Sequence, residues 1–244
     1  MRNLRIEIEY DGSGYFGWQV QRGFKTIQGV LEKTLQKILK EKIRVIASGR
    51  TDSGVHALAQ VANFFTRSQI APKALQKGLN SLLPEDIKVK GVREVDPRFH
   101  SRFSAKSKIY RYTILNREFS DVFLRHTVYF YPFPLNIKTM RDAAKLLTGK
   151  HNFRSFQASA GKEKNPVKTI KKIKVAKSKN FIYIDIEADG FLYNMARNIV
   201  GTLLEIGKGK LSKENLQSIL LAKNRIFSGP TAPAKGLSLM KVRY

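Results

Sequence analysis

The stretch that decides the fold interpretation is LRIEIEY, at residues 4–10. Its apolar and polar residues alternate strictly, which is typical of a half-buried β-strand. The sequence DGSG at residues 11–14 would end this strand. Thr26 is then a candidate N-cap, and apolar residues follow it at the spacing of one helix face. A strand followed by an amphipathic helix is therefore the first predicted pair of elements.

The rest of the first half continues in the same way. Apolar runs at residues 43–47 and 59–65 predict two strands, and residues 87–95 predict a third. Between the last two, Pro72 occupies the first position of a predicted helix, and Pro84 ends that helix. The order strand, helix, strand, strand, helix, strand is that of a split βαβ unit.

The second half repeats this order in pattern but not in sequence. Its predicted strands are residues 109–115, 173–176, 181–188 and 237–242, and its predicted helices are one closed by Gly149, one over residues 193–206 and one capped by Ser212. The break falls near FSAKSK, at residues 103–108. We therefore predict an α+β fold of two tandem split βαβ (ferredoxin-like) units with antiparallel or mixed sheets, in domains 1–105 and 106–244. Residues 155–166 and 227–235 predict irregular connections.

Charge is the strongest compositional signal. Lys and Arg number 45 against 19 Asp and Glu, for a net charge of +26. Nucleic acid is the usual partner of so basic a folded domain, whereas an anionic membrane would favour a basic amphipathic helix or a lipidation signal, and neither is evident. Aromatic residues interleave with the charges in FHSRF and KIYRYTI. This favours an RNA partner over the alternative that the high Lys content merely reflects genome composition. Basic residues in or beside predicted loops are candidate phosphate contacts: Arg22, Lys25, Arg98, Arg102, Lys106 and Lys108.

Several classes of site are not expected. The chain has no cysteine, which excludes disulfides and thiolate metal sites and fits a reducing compartment. None of its four histidines stands three or four residues from another, so we expect no metal site. Neither a Walker-type phosphate loop nor an apolar run of about 18 residues is present, and the N-terminal residues lack the apolar segment of a signal peptide.

One carboxylate stands out in ASGRTDSGVH, at residues 47–56. Asp52 lies between Gly49 and Gly54, two residues after Arg50. The residues around it are those of an ordinary turn, and that alternative stays open. A loop presented by the end of a strand, with a guanidinium close by, is also a plausible place for a catalytic carboxylate. A hydrolase that uses Asp52 together with His56 is a further alternative.

The motif GRTDSGVHALAQVANF, at residues 49–64, resembles the signature of the TruA family of tRNA pseudouridine synthases. Seven other segments resemble the family in the same order, so that the likeness spans residues 6–242. They are YDGSGYFGWQVQ, IQGVLEKTL, LNSLLPEDIKV, FHSRFSAKSKIYRY, LTGKHNFRSF, FLYNMARNIVGTLLEIG and KGLSLMKV.

The resemblance implies a role for five residues. Asp52 matches the catalytic aspartate and Arg197 the basic residue that pairs with it. Tyr110 matches the active-site tyrosine, Arg50 an arginine that helps to turn the target nucleotide out of the stack, and Leu237 an apolar residue of the base pocket. These matches show no departure from the family pattern; nearby, Ser53 stands where alanine is frequent.

The resemblance also implies the reaction and its setting. It implies a pseudouridine synthase fold and an isomerase that converts uridines at positions 38–40 of the tRNA anticodon stem-loop to pseudouridine after flipping the target base. No atom is gained or lost, so neither a cofactor nor a metal is expected. A cytoplasmic homodimer that binds tRNA and no membrane is implied as well. The alternative from another class is a non-catalytic RNA-binding module or tRNA folding chaperone on the same scaffold.

Overall fold

The computed structural model describes residues 1–159, 161 and 165–244. The chain forms two compact units. Unit 1 comprises Met1–Lys106 together with Ser238–Tyr244, and unit 2 comprises Ser107–Leu237. The last strand therefore groups with unit 1, although the domain prediction from sequence counts it with the second half.

Unit 1 contains a mixed sheet and two helices. Its elements are β1 (Arg2–Tyr10), α1 (Ile27–Leu39), β2 (Ile46–Ala47), β3 (His56–Thr66), α2 (Pro72–Leu82), β4 (Ile87–Val95) and all but the first residue of β10 (Leu237–Arg243). The strand order is β4–β1–β3–β10, with β2 also paired to β3. Strands β1, β2, β3 and β4 pair antiparallel, and β10 runs parallel to β3.

In the part of unit 2 that the structure describes, there are an antiparallel sheet, one short parallel strand and three α-helices. Its elements are β5 (Ser107–Leu115), β6 (Tyr129–Phe130), α3 (Ile137–Lys145), β7 (Gly149–Asn152), β8 (Val167–Ser178), β9 (Phe181–Ala188), α4 (Met195–Gly207) and α5 (Lys213–Ala222). The order is β5–β9–β8–β7, and β6 pairs parallel with β5. Short 3-10 helices occupy Arg154–Phe156, Arg225–Phe227 and Ala234–Gly236.

The predicted alternation in β1 is confirmed, because Leu4, Ile6 and Ile8 are completely buried. Burying each such side chain contributes about 1.5–3 kcal/mol, which fixes which face of the strand meets the core. Thr26 caps α1 as predicted: its Oγ1 accepts a hydrogen bond from the Gly29 amide. The predicted α+β class with antiparallel and mixed sheets is thereby confirmed.

The strand predicted at residues 43–47 is shorter in the structure, where only Ile46–Ala47 pairs with a neighbour. The reason is that side chains of α1 satisfy the backbone of Val45. Its N–H donates to Glu32 Oε1 at 2.8 Å, and its carbonyl accepts from Gln28 Nε2 at 3.2 Å. A polar backbone satisfied in this way has no need of a strand partner.

Gly149 does not close α3 as predicted. The helix ends at Lys145, and Gly149, with φ +106°, opens the unpredicted strand β7. Part of the irregular connection predicted at residues 155–166 lies outside the described residues, at 160 and 162–164. Among the residues that the structure describes, no helix is long and apolar enough to cross a membrane.

The cap of α5 provides a test of local stability. Ser212 Oγ accepts from the Asn215 amide, and Asn215 Oδ1 accepts from the Ser212 amide at 2.7 Å. We expect Ser212→Ala to lower the free energy of unfolding by about 1 kcal/mol, measured by denaturant titration. Ser218→Ala is the control, because it exchanges an exposed interior residue of the same helix for the best helix former. Equal losses in the two variants would contradict a contribution from the cap.

Candidate active site

Asp52 lies in the loop between β2 and β3, in unit 1. The loop closes as a turn, since the Val55 N–H donates to the Asp52 carbonyl at 3.1 Å and Gly54 has φ +75°. Asp52 is half-buried, whereas Arg50 is exposed. The ordinary-turn interpretation therefore describes the backbone correctly. It does not explain how the loop is held, which depends on two sets of neighbours.

A buried hydrogen-bond network supports the loop from the sheet. The hydroxyls of Thr51 and Tyr10 lie 2.8 Å apart, and Gln60 Nε2 donates to the Gly49 carbonyl at 3.0 Å. Ser48 Oγ donates to Gln60 Oε1 at 2.7 Å. Burial raises the pKa of Tyr10 to about 12, so this phenol stays neutral. The network thus anchors the loop on the N-terminal side of Asp52.

The segment after β1 braces the same loop from another direction. The Trp18 N–H donates to the Thr51 carbonyl at 3.0 Å, and Ser53 Oγ donates to the Tyr15 carbonyl at 3.2 Å. Gly17 has φ +79°, and a Cβ there would lie 2.7 Å from the Thr51 carbonyl oxygen. Only glycine permits both this conformation and this approach. The sequence pattern of residues 11–14 predicts the end of a strand and gives no sign of this contact with the carboxylate loop.

His56, which the hydrolase alternative needs, is buried at the start of β3. Its Nδ1 lies 3.1 Å from the Gly12 nitrogen and 3.1 Å from Asp11 Oδ1. A Cβ on Gly12 would lie 2.1 Å from the Val55 carbonyl oxygen. These contacts make His56 part of the same brace between the post-β1 segment and the carboxylate loop.

Tyr110 and Leu237 are both buried in unit 2. Tyr110 lies on β5 and is 7% exposed. Its ring meets that of Phe191 edge to face, with centroids 4.9 Å apart. Two residues along the same face, the Tyr112 hydroxyl donates to the Pro233 carbonyl at 2.9 Å. Leu237, four residues after Pro233, is 5% exposed.

Arg197 lies in the first turn of α4, where neutral oxygens orient its guanidinium. Nε donates to the Ala232 carbonyl at 2.7 Å, and Nη1 donates to Asn194 Oδ1 at 3.2 Å. In return, the Ala232 N–H donates to the Arg197 carbonyl at 3.2 Å. Burial raises the pKa of Tyr112, and the positive charge of Arg197 acts against that rise, which places the two side chains in electrostatic range.

The segment at residues 228–236, which we call the connector, links these residues of unit 2. It bonds to Arg197 through Ala232 and to β5 through Pro233, and it leads directly into Leu237. Asp52 and Arg50 lie in unit 1. The pairing of Asp52 with Arg197 stays a prediction.

The candidate phosphate contacts differ in their surroundings. Arg22, Lys25, Arg102 and Lys106 are exposed, and Lys108 is half-buried. Lys25 Nζ lies 4.4 Å from the centroid of the Tyr15 ring. Arg98 is exposed but forms two 3.2 Å hydrogen bonds with the Asp96 carboxylate, which offsets its charge. Within the described ranges, no cluster of three or more His, Cys, Asp or Glu could hold a metal ion.

Comparisons with known proteins give one consistent result. The family model described as tRNA pseudouridine synthase matches residues 6–104 and 143–244. The chain is 46% identical to "tRNA pseudouridine synthase A" of Thermoanaerobacter sp. (strain X514), with 100% of both chains covered. It is also 46% identical to the protein of that name from Geobacillus sp. (strain WCH70), covering 100% of this chain and 98% of that one.

Among solved structures, the chain has a weak likeness to a chain of a Cbf5-Nop10-Gar1 complex. The TM-score is 0.34 at 10% identity, and the match covers 97% of this chain and 58% of that one. So weak a likeness supports no inference about the site.

The brace predicts that position 17 tolerates only glycine. We expect Gly17→Ala to lower the free energy of unfolding by roughly 2–4 kcal/mol, because the left-handed backbone costs about 1–2 kcal/mol and overpacking against Thr51 adds a similar amount. Denaturant titration measures the loss, and faster hydrogen exchange at the Gly54 and Val55 amides would localise it.

The control is Gly14→Ala, where a Cβ would have no neighbour within 4 Å and φ is not positive. Equal stability of the two variants would contradict the proposed role of the close approach.

Proposed function

The chain belongs to the tRNA pseudouridine synthase family, and from this premise we propose that it isomerises uridines at positions 38–40 of the tRNA anticodon stem-loop, with Asp52 as the catalytic carboxylate. The family membership makes it an isomerase. The observation that carries the catalytic assignment is the doubly braced, half-buried loop around Asp52. A catalytic group must be held within a fraction of an ångström, and a loop anchored from two sides meets that requirement.

In this reaction the C1′–N1 glycosidic bond breaks, the uracil rotates, and a C1′–C5 bond forms. The proton on C5 is lost, and N1 gains one, so the substrate and product have the same composition. Asp52 acts either as a nucleophile at C1′ or as the base that removes a sugar proton. Both roles need an ionised carboxylate directed at the nucleotide with little water around it.

Arg197 is the proposed partner of this carboxylate. A guanidinium at salt-bridge distance favours the ionised form of a half-buried acid, and arginine suits the task because it stays charged and binds carboxylates bidentately. The bonds from its Nε and Nη1 to neutral oxygens restrict the orientation of its planar group. That restriction supports a specific role over a side chain that merely extends to solvent.

Three further residues have proposed roles around the substrate. The Tyr110 ring would stack on the uracil, with its hydroxyl in reach of a proton. Leu237, also buried, would line the base pocket. Arg50 is exposed, as a residue that enters the gap left by a flipped nucleotide must be, and flipping itself costs a few kcal/mol.

The proposed partner is tRNA. A net charge of +26 needs a polyanion to relieve its self-repulsion, and the exposed basic residues supply phosphate contacts. Recognition of neighbouring uridines implies that the shape of the stem-loop, and not one local sequence, is bound. We further propose a cytoplasmic homodimer, which would have to be tested by sedimentation and by cell fractionation.

We expect Asp52→Asn to reduce the rate of pseudouridine formation by at least about 10²-fold, since the amide is neither nucleophile nor base. Its affinity for tRNA should change less than threefold. Single-turnover assays and filter binding measure the two quantities. Asp142→Asn, which neutralises a partly exposed carboxylate on α3, is the matched control. Substantial turnover by Asp52→Asn would reject the assignment, and absence of turnover in the unmodified chain would favour the non-catalytic alternative.

Affinity for tRNA should fall steeply with salt, by about 0.7–0.9 log units per log unit of salt for each phosphate contact. We expect Arg22→Gln to lower the slope by about one contact. Arg98→Gln should change it less, because Asp96 already offsets the charge of Arg98. A flat response between low and moderate salt, or equal effects of the two variants, would contradict this account of binding.

A further inference from the structure

Arg225, at the start of the 3-10 helix before the connector, makes four hydrogen bonds to neutral oxygens. Nη1 donates to the Ser228 carbonyl at 3.2 Å and to Ser228 Oγ at 2.7 Å. Nη2 donates to Asn198 Oδ1 at 3.2 Å and to Thr231 Oγ1 at 3.1 Å. Burial lowers the pKa of this half-buried guanidinium. Burying a guanidinium among neutral acceptors adds little to the free energy of unfolding. Its forked N–H donors do, however, fix the relative positions of the oxygens that accept from them.

The acceptors of Arg225 join the connector to α4. Asn198 is completely buried, and its Oδ1 accepts from Thr231 Oγ1 at 2.7 Å in addition to Arg225. Its Nδ2 donates to the Phe156 carbonyl at 2.7 Å. Asn198 follows Arg197 in the sequence, and Thr231 precedes Ala232. The network therefore fixes the residues next to both ends of the Arg197 Nε to Ala232 bond.

The connector also packs directly on the backbone of α4. A Cβ on Gly201 would lie 1.7 Å from the Pro230 carbonyl oxygen, and one on Gly229 would lie 2.8 Å from Thr202 Cα. The Gly229 N–H donates to Thr202 Oγ1 at 2.9 Å. Because the two backbones are so close, a shift of the connector along α4 would also move the Ala232 carbonyl.

We propose that Arg225 is a positioning residue, which acts through Thr231 and Asn198 to set the Ala232 carbonyl and thereby the orientation of the Arg197 guanidinium. This inference rests on the proposed function, because it concerns the arginine that we pair with Asp52. Arg225 and Thr231 touch neither substrate nor Asp52 in this role. They act by fixing the plane of Arg197 and the direction of its outer edge.

The test uses Thr231→Val, Arg225→Met and their combinations with Arg197→Ala in the full chain. We expect Thr231→Val to lower kcat about tenfold and Arg225→Met about 10²-fold, as an ångström of misplacement does. The dissociation constant for tRNA should stay within twofold of that of the unmodified chain. Arg141→Met is the control, because Arg141 likewise donates to a neutral carbonyl of unit 2, that of Val175. Its kcat should be unchanged.

A double-mutant cycle separates positioning from general support. In the Arg197→Ala background, measured by single turnover, Thr231→Val and Arg225→Met should cost less than a further twofold. Multiplicative losses, or wild-type kcat in Thr231→Val, would overturn the positioning role. Should Arg225→Met fail to fold, the Thr231→Val cycle decides alone. If Arg197→Ala itself leaves turnover unchanged, the proposed function of Arg197 fails, and the inference falls with it.

Discussion

The close approach of Gly17 to the backbone of Thr51 and Asp52 is the constraint on which the candidate site depends. Within the carboxylate loop, the bond from the Val55 N–H to the Asp52 carbonyl closes the turn. The position of the loop comes from contact with the segment after β1 on one side and from the hydrogen-bond network of Tyr10 and Gln60 on the other. A catalytic carboxylate needs an accurate position, and in the role proposed for Asp52 the backbone packing around Gly17 would supply it.

In unit 2, the segment beside Arg197 is also held by close backbone packing at glycine and by buried hydrogen bonds. There the connector lies against α4 at Gly201 and Gly229, and polar side chains from both elements interlock around Asn198. In both units, glycine removes the side chain that would separate two backbones, and buried hydrogen bonds then set their register. A group carried by an irregular segment is thereby restrained by contacts from outside that segment.

Much of the fold was predictable because its signals are local. The alternation in β1, the cap at Thr26 and Pro72 at the start of α2 each act within a few residues, and each appears where predicted. The strands β6 and β7 were not predicted, because a strand of two to four residues is too short to show an alternation of apolar and polar residues. The grouping of Ser238–Tyr244 with unit 1 arises from pairing with His56 and Ala57 of β3, which local pattern does not encode. For the site, the sequence drew attention to Asp52 but not to Gly17 or Arg225, whose importance depends on partners far along the chain or on an unusual backbone.

The phenol of Tyr10 has a consequence for how the enzyme meets changes in its surroundings. Burial raises the pKa of Tyr10 to about 12, and its companions Thr51, Ser48 and Gln60 have no group that ionises in the ordinary range, so these four side chains stay uncharged. The hydrogen bonds among these four side chains therefore keep their donors and acceptors across the ordinary range of pH.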